Sequence, residues 1–598
     1  MSLTLEDLNR SSPEQLLNGP SGLSGLYEHS DWIVMAALEQ RPFSSVHAFK
    51  MALVQVLDRS SETQKLDLIN AHPELTGKAQ IDPSLTLDSQ NEQRKAGLAY
   101  CSEEEYTALT RLNQAYKSRF GFGFILAVRG PRGLGLTRTE IIQTLERRLA
   151  NPRDFELAEA IRNIHRIAEI RLNEKMNKSP LTGEMIWDWH EDLAQYSEHE
   201  GSNPPVLTVT YLSKAHRQCA SHLQELMQKS GFDQVSQDAV GNVVGVYHSR
   251  SHSSIPTKTL LIGSHYDTVR NAGKYDGRLG IFCAIAAVKH LREKQSRLHF
   301  NIELVAFAEE EGQRFPATFL ASSALTGQFK PEWLEQSDAQ GVSLKQAMQQ
   351  AGLDPSQIPS IQRDPKQYLG FLEVHIEQGP VLNALNAPLG VVTSINGSKR
   401  FVGSIKGMAS HSGTTPMKTR KDAACAAAEL ALFMEERAAK DLDSVATMGI
   451  FEVPNGSINV VPGRVNLSLD MRAPNNAQRD ALCSDILSEA ERICERRGVQ
   501  LELKENLSVS AAPSATTLKS HWQQAIQTLG LNVIELPSGA GHDAMKIHDI
   551  LPQAMLFVRG QNAGISHNPL ESTTTDDMQL AFEALMLTLE SLNQEQTP

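Results

Sequence analysis

The sequence predicts a multidomain chain: an all-α N-terminal domain, then an α/β domain interrupted by an inserted α+β domain. Three observations predict it. Residues 1–172 read as helices throughout, with apolar residues at helical spacing. From about residue 185 short apolar runs alternate with helical stretches, the signature of a sheet flanked by helices. Between about 396 and 507 the pattern changes to two helices among alternating strands, after which the first texture resumes. A chain of 598 residues is also too long for one core.

Within the first domain, Thr137-Arg-Thr-Glu140 reads as a capping box ahead of Ile141, Ile142, Leu145 and Leu149. Asn151-Pro152 breaks that helix, and a second carries Ile161, Ile164, Ile167 and Ile170. Residues 173–184, NEKMNKSPLTGE, are polar and aperiodic and read as a linker. The α/β domain is then expected over 185–395 and 508–598. Its buried strands are GNVVGVYH, TLLIGSHYDTV, HFNIELVAFA, FLEVHIEQ and AMLFVRG, and its sheet is expected to be mainly parallel. A crossover helix over 277–294 presents Leu279, Phe282, Ile285, Val288 and Leu291 on one side. The insert, 396–507, opens with Asn396-Gly397, a pair suited to a tight hairpin. Helices near 419–438 and 476–497 and strands VATMGIFEV, RVNLSLDMR and VQLELKEN complete a four- or five-stranded antiparallel sheet. Because metal-site candidates lie on both sides of it, the insert is expected to act as a lid.

Bulk properties narrow the function. A net charge of −13 argues against nucleic acid and against a polybasic membrane patch. No apolar run approaches the roughly 18 to 20 residues of a membrane span, and MSLTLEDLNRSS lacks the pattern of a signal peptide. The six cysteines (101, 219, 283, 425, 483, 494) are scattered singly, as in a reduced, cytoplasmic protein.

Five residues carry the chemistry. His265 of GSHYDTV is followed by Asp276 of KYDGRLG, Glu311 of AFAEEEGQRF, His375 of EVHIEQGP and His567 of GISHNPLE. Three imidazoles with two carboxylates suit zinc or manganese. Five ligands exceed the need of one four-coordinate ion, so two divalent ions sharing a carboxylate are expected. His265, Glu311 and His375 fall at or just after strand ends, where α/β sheets place their ligands. A lone histidine at a strand end is more often a core or surface residue than a ligand; the ordered set is what carries the expectation. Of the triplet Glu309-Glu310-Glu311, one ligand plus one base is the plausible use, provided the strand has ended before it.

Residues 185–598 resemble the dinuclear metal amidohydrolases that include allantoate amidohydrolase, N-carbamoyl-L-amino-acid hydrolase and β-ureidopropionase. YLSKAH, DAVGNVVG, ASHSGTTPM, NVVPG, LDMR and SGAGHDA extend the likeness across the segment in order. The resemblance implies that His265 and His375 hold one ion, Glu311 and His567 the other, and Asp276 bridges. Glu310 becomes the general base, with Glu309 in support. It also makes the insert a dimerisation lid, giving a homodimer. His411 and Asn459 would bind the oxyanion and Arg472 the substrate carboxylate, with Gln378 and His542 further pocket candidates. In TVTYLSKAH this chain departs from its relatives near the first Thr and at Lys214, close to substrate entry.

In the helical domain, His72-Pro73, Glu92-Gln93 and RFGFGFILAVRG are unusually specific for a helical bundle, yet read alone they favour a structural or interaction domain over a catalytic one. AHPELTGKAQ, SQNEQRKAGL, LNQAYKSRFGFGFILAVRG and IHRIAEIRL resemble 2-oxo-4-hydroxy-4-carboxy-5-ureidoimidazoline (OHCU) decarboxylase. That resemblance makes His72 the acid–base residue and Glu92 its positioner. Pro73, Ser89, Gln93 and the strand-like segment with Phe124, Ile125 and Val128 would hold the substrate, without a cofactor. Gly123 stands where the family carries Pro, which frees the backbone there. Together the two likenesses imply small ureido substrates and a place in urate breakdown, with allantoate as the hydrolase substrate. The alternative is an N-carbamoyl-amino-acid or β-ureidopropionate hydrolase with a non-catalytic helical assembly module.

Overall fold

The computed structural model describes residues 2–19, 22–72, 75, 101–133, 135–199, 207–250 and 257–596. Three separate apolar cores form, one for each expected unit.

The N-terminal domain is helical throughout its described part, from Leu5–Arg10 to the long helix Arg153–Lys175. Capping boxes start five of its helices, at Thr4, Ser12, Ser61, Ser102 and Thr137, each satisfying main-chain N–H groups that a helix start leaves open. The segment 173–184 is less of a linker than its composition suggests. Helix Arg153–Lys175 runs into it and helix Leu181–Ala194 starts inside it, leaving only residues 176–180 between them. The second of these helices lies along the C-terminal helix Thr575–Glu595, where Gln579 accepts from Thr182 and Gly183 N–H at 3.0 Å.

The large sheet has nine strands. They are β1 (Gln234–Gln237), β2 (Val243–Tyr247), β3 (Thr259–His265), β4 (Asn301–Phe307), β5 (Tyr368–Ile376), β6 (Leu389–Ile395), β14 (Ala512–Pro513), β15 (Glu535–Ser538) and β16 (Gln553–Val558). All five apolar runs named above form strands here. The order is β1-β2-β4-β3-β5-β16-β6-β14, with β15 on β6. Only the centre, β4-β3-β5-β16, and the β15–β6 pair are parallel; β2, β6 and the edges run antiparallel. The sheet is therefore mixed. Helix Arg278–Glu293 crosses over between β3 and β4 and is buried along nearly its whole length.

The insert packs helices Ala423–Ala438 and Asn476–Arg497 on an antiparallel sheet of five strands. These are β7 (Gly397–Lys406), β9 (Val445–Thr447), β10 (Phe451–Glu452), β12 (Arg464–Ala473) and β13 (Gln500–Val509). VATMGIFEV thus makes two short strands rather than one. A separate two-stranded ribbon joins β8 (Ser410–His411) to β11 (Val460–Val461). The expected Asn396-Gly397 hairpin does not form: neither residue takes a positive φ, and β6 and β7 belong to different sheets. The pair is where the chain crosses into the insert. A Cβ on Gly397 would meet the returning chain at Ala511 N, 2.6 Å away, so close approach is what requires glycine there.

The helical domain is locked onto the α/β domain by buried charge. Arg166 reaches Asp576 at 2.6 Å and Glu169 at 2.7 Å, and donates to Pro131 O. Asn173 donates to the other Asp576 oxygen at 2.6 Å, and Lys50 pairs with Glu169 at 3.1 Å. No helix among the described residues is long and apolar enough to cross a membrane.

Candidate metal centre and active sites

The five expected ligands converge at the carboxyl end of the parallel strands. His265 closes β3, and His375 is the penultimate residue of β5. Strand β4 ends at Phe307, so the glutamate triplet lies beyond it and is free of strand alternation. Asp276 stands just ahead of the crossover helix, whose N-cap Gly277 has φ 68°. A Cβ there would sit 2.5 Å from His265 O and 2.6 Å from its ring, so only glycine lets the Asp276 turn close over that ligand. His567 lies in the loop after β16 with φ 54°, a left-handed conformation unfavourable for a non-glycine residue.

Asp276 is the hub. Its Oδ1 lies 3.4 Å from His265 Nε2 and 3.2 Å from His375 Nε2, and its Oδ2 lies 3.2 Å from His567 Nε2. His567 Nε2 is in turn 3.6 Å from Glu311. Two clusters that could each hold a metal ion result, His265/Asp276/His375 and Asp276/Glu311/His567, sharing the aspartate. Glu310 lies with His265 and Glu311 in an adjoining cluster.

The donor set fits divalent cations. His375 Nδ1 donates to Ile376 O at 2.8 Å and His265 Nδ1 to Asp267 O at 3.1 Å. His265 Nε2 then faces Asp276 Oδ1 at 3.4 Å, acceptor against acceptor, and that buried oxygen takes no hydrogen bond among the described residues, which calls for a cation there; His375 Nε2 lies 3.2 Å from the same oxygen and accepts from Gly277 N–H at 3.1 Å. Charge says the same. Asp267, Asp276, Glu309, Glu310, Glu373 and Asp543 are all buried around the cleft. Arg278, the buried cation beside them, donates to Tyr266 O rather than to a carboxylate. Burial and the neighbouring Glu311 hold Glu310 well above the carboxylate range. Burial, then the Asp276 charge, pushes Glu311 up to about 7. A cluster so rich in buried carboxylates is costly without bound positive charge.

Three supporting residues escaped the sequence reading. Asp267 accepts the Glu310 and Glu311 N–H groups at 3.1 and 3.2 Å and so shapes the glutamate turn. Glu571 accepts the Tyr275 and Asp276 N–H groups at 2.8 and 3.0 Å, and Ser566 links it to Asp276. Both acids were visible, two residues after His265 and four after His567.

The pocket candidates divide. Gln378 stands at the mouth, its amide 2.7 Å from Asp276 Oδ2 and 3.2 Å from His567 Nε2. His542 is sealed behind the centre, its ring 4.4 Å from that of His375 and its Nε2 bonded to Ser538 at 2.8 Å. His411 and Asn459 are brought together by the β8–β11 ribbon, where Val460 pairs with His411. Both are exposed, and among the described residues neither bonds to the metal cluster. Arg472 pairs with Asp470 at 2.8 Å and also donates to Gly539 O at 2.6 Å, tying insert to catalytic domain.

In the helical domain His72 caps helix Glu62–Ala71, buried, with Nδ1 donating to Leu68 O at 2.9 Å. Among the described residues its Nε2 has no hydrogen-bond partner, and burial lowers its pKa to about 4, so the ring is neutral. Pro73, Ser89, Glu92 and Gln93 lie outside the described residues. Phe124–Val128 forms no strand, and the Phe124, Ile125 and Val128 side chains sit in the core.

Comparison with known proteins agrees with both halves. Residues 20–173 match the OHCU decarboxylase family, and residues 261–591 match peptidase family M20/M25/M40. N-carbamoyl-L-amino acid amidohydrolase of Geobacillus stearothermophilus is 36% identical over 69% of this chain and 99% of its own. Allantoate deiminase of Arabidopsis thaliana is also 36% identical, over 64% of this chain and 78% of its own. A hydantoinase/carbamoylase family amidase from Burkholderia ambifaria superposes with a TM-score of 0.62 at 29% identity, covering 68% of this chain and 97% of that one. The chain belongs to the M20/M25/M40 family, as a metal-dependent amidohydrolase fused behind an OHCU decarboxylase domain.

Proposed function

We propose that the chain is a bifunctional enzyme of urate breakdown: its helical domain decarboxylates OHCU to (S)-allantoin, and its metal domain hydrolyses allantoate to ureidoglycine, ammonia and CO2. The observation that carries this reading is the fusion. Amidohydrolases of this group act on several ureido compounds, and relatives named for carbamoyl amino acids and for allantoate are equally similar to this chain. An OHCU decarboxylase domain on the same polypeptide favours the purine-derived substrate.

At the metal centre, His265 and His375 would hold one ion, Glu311 and His567 the other, and Asp276 both. Zinc or manganese bound there would lower the pKa of a shared water towards neutrality. Glu310, beside that cluster, would take the second proton of the water and return it to the leaving nitrogen. Gln378 is placed to orient the ureido group at the mouth. His411 and Asn459, exposed on their ribbon, would serve the oxyanion from the lid of a partner subunit, with Arg472 clamping the carboxylate after release from Asp470. Large apolar side chains exposed on the insert, among them Met408, Met417, Phe451 and Ile458, favour such a homodimer. In the helical domain His72 would take part in delivering a proton to the carbon that loses CO2.

The test is ammonia release by the manganese-loaded protein, offered allantoate beside N-carbamoyl-β-alanine and N-carbamoyl amino acids, with Glu310→Ala as blank. Allantoate turnover absent from the blank supports the reading. Turnover of carbamoyl amino acids alone would keep the metal chemistry and overturn the pathway.

A further inference from the structure

A cleft of about 520 Å³ separates the two enzymatic domains on one side. Its walls include Arg129 and Arg147 from the helical domain, and Lys274, Tyr275, Asn562 and Glu571 from the hydrolase. Most cations lining it are neutralised: Arg129 by Glu174, Arg132 by Asp188, Arg148 by Glu156, Arg166 by Glu169 and Asp576, and Lys274 by Glu191. Arg147 differs. Among the described residues no carboxylate pairs with it, and its guanidinium donates across the cleft to Asn562 Oδ1 at 3.2 Å.

Asn562 belongs to the loop that carries His567. Its other amide atom donates to Leu570 O at 2.7 Å, so one side chain spans the loop from outer face to far limb. The loop needs such restraint. Asn562, Ala563 and His567 all take left-handed φ, at 53°, 61° and 54°, which L residues disfavour. Gln561 N–H closes the base on Ser572 O at 2.7 Å, and Ser566 ties the inner face to Asp276 and Glu571. The outer face is held from the other domain. His567 is also the exposed ligand, its side chain 48% accessible against 1–2% for His375 and His265. Its position depends on this loop more than on any core.

We infer that Arg147 of the decarboxylase-like domain is a positioning residue for the hydrolase, fixing through Asn562 the loop that presents His567 to the second metal ion. This rests on the dinuclear reading of the metal centre. The helical domain would then contribute to metal retention in its neighbour without touching a ligand.

The experiment follows metal rather than turnover. Full-length protein loaded with zinc is mixed with excess chromogenic chelator, after zinc per chain has been counted by mass spectrometry. Two ions should leave in two phases, with His567→Ala identifying the faster. Arg147→Ala should accelerate that phase roughly tenfold, the loss of one charge-assisted hydrogen bond, and leave the slow phase unchanged. Arg147→Lys should fall between. Asn562→Ala, which also loses the bond to Leu570 O, should accelerate that phase at least as much as Arg147→Ala, and the double variant should release no faster than Asn562→Ala alone. An unchanged fast phase, or equal acceleration of both phases, overturns the inference while two zinc per chain leaves the metal centre standing. Fewer than two zinc in the unsubstituted protein would sink both.

Discussion

Replacing Asp576 with alanine tests whether the two domains fold as one body. Lys50, Arg166, Glu169 and Asp576 sum to zero charge at the interface, and Arg166 and Asp576 are each 8% exposed at the side chain. Removing Asp576 leaves one uncompensated positive charge there and strips Asn173 of its acceptor. Breaking a buried pair by deleting one partner costs roughly 3 to 5 kcal/mol. Arg166 keeps Glu169 and Pro131 O, so the lower end, about 3 kcal/mol, applies. For a domain of this size that corresponds to a fall of roughly 6–12 °C in melting temperature. Calorimetry of the full chain is the assay. The helical domain's transition should move down and separate from that of the hydrolase, and Asp576→Asn, which keeps the Asn173 contact, should fall between. Transitions that stay together within about 2 °C of the unsubstituted protein would refute the argument that this quartet joins the domains.

Metal content should report the hub: Asp276→Asn loses both ions by mass spectrometry, whereas His567→Ala keeps one, and equal loss in the two would refute the shared-aspartate arrangement. Glu310→Gln should retain two ions yet lose roughly 10²–10⁴-fold in kcat for ammonia release; a variant of undiminished kcat would remove Glu310 as the base. Gly277→Ala should bind less metal, since its Cβ meets the His265 ring at 2.6 Å, with content equal to that of the unsubstituted protein the contrary result. The helical domain should weaken in acid. Burial lowers His165 to about 3 and His72 to about 4, both below the unfolded value of about 6.5. The unfolded chain therefore binds protons first, so stability is full above pH 6.5 and is lost as pH falls towards those values. Urea midpoints from pH 7.5 down to pH 4.5 should decline, less steeply in His165→Gln, and a flat profile would count against the buried neutral rings.

Much of the architecture was legible because burial writes itself into composition. Strands covered on both faces, such as β3 and β5, appear as unbroken apolar runs, and the candidate ligands stand out because few residue types can hold a metal. What stayed hidden depends on partners far along the chain. Asn396-Gly397 carries a local hairpin signal, yet β6 pairs with β16 and β7 with β12, so the pairing of distant strands decides the geometry. The antiparallel orientation of β2 on β4 leaves no trace in either run. Asp267 and Glu571 serve by accepting main-chain N–H groups, a task with no residue pattern. Asp576 meets Arg166 across 410 residues, and neither neighbourhood announces the other.

The chain leaves the large sheet after Ile395 and returns at Ala512, and those two residues are opposite one another in the antiparallel ladder of β6 and β14. Seen from the large sheet, everything between them is a hairpin loop enlarged to domain size. Its ends meet at the separation that a two-residue turn would bridge. The α/β body thus owes no strand to the insert, and the insert's own ends lie side by side where they could be joined. Growth, loss or exchange of that domain would leave the strands that carry His265 and His375 in register, so the insert can vary as a cassette without disturbing the geometry of the large sheet.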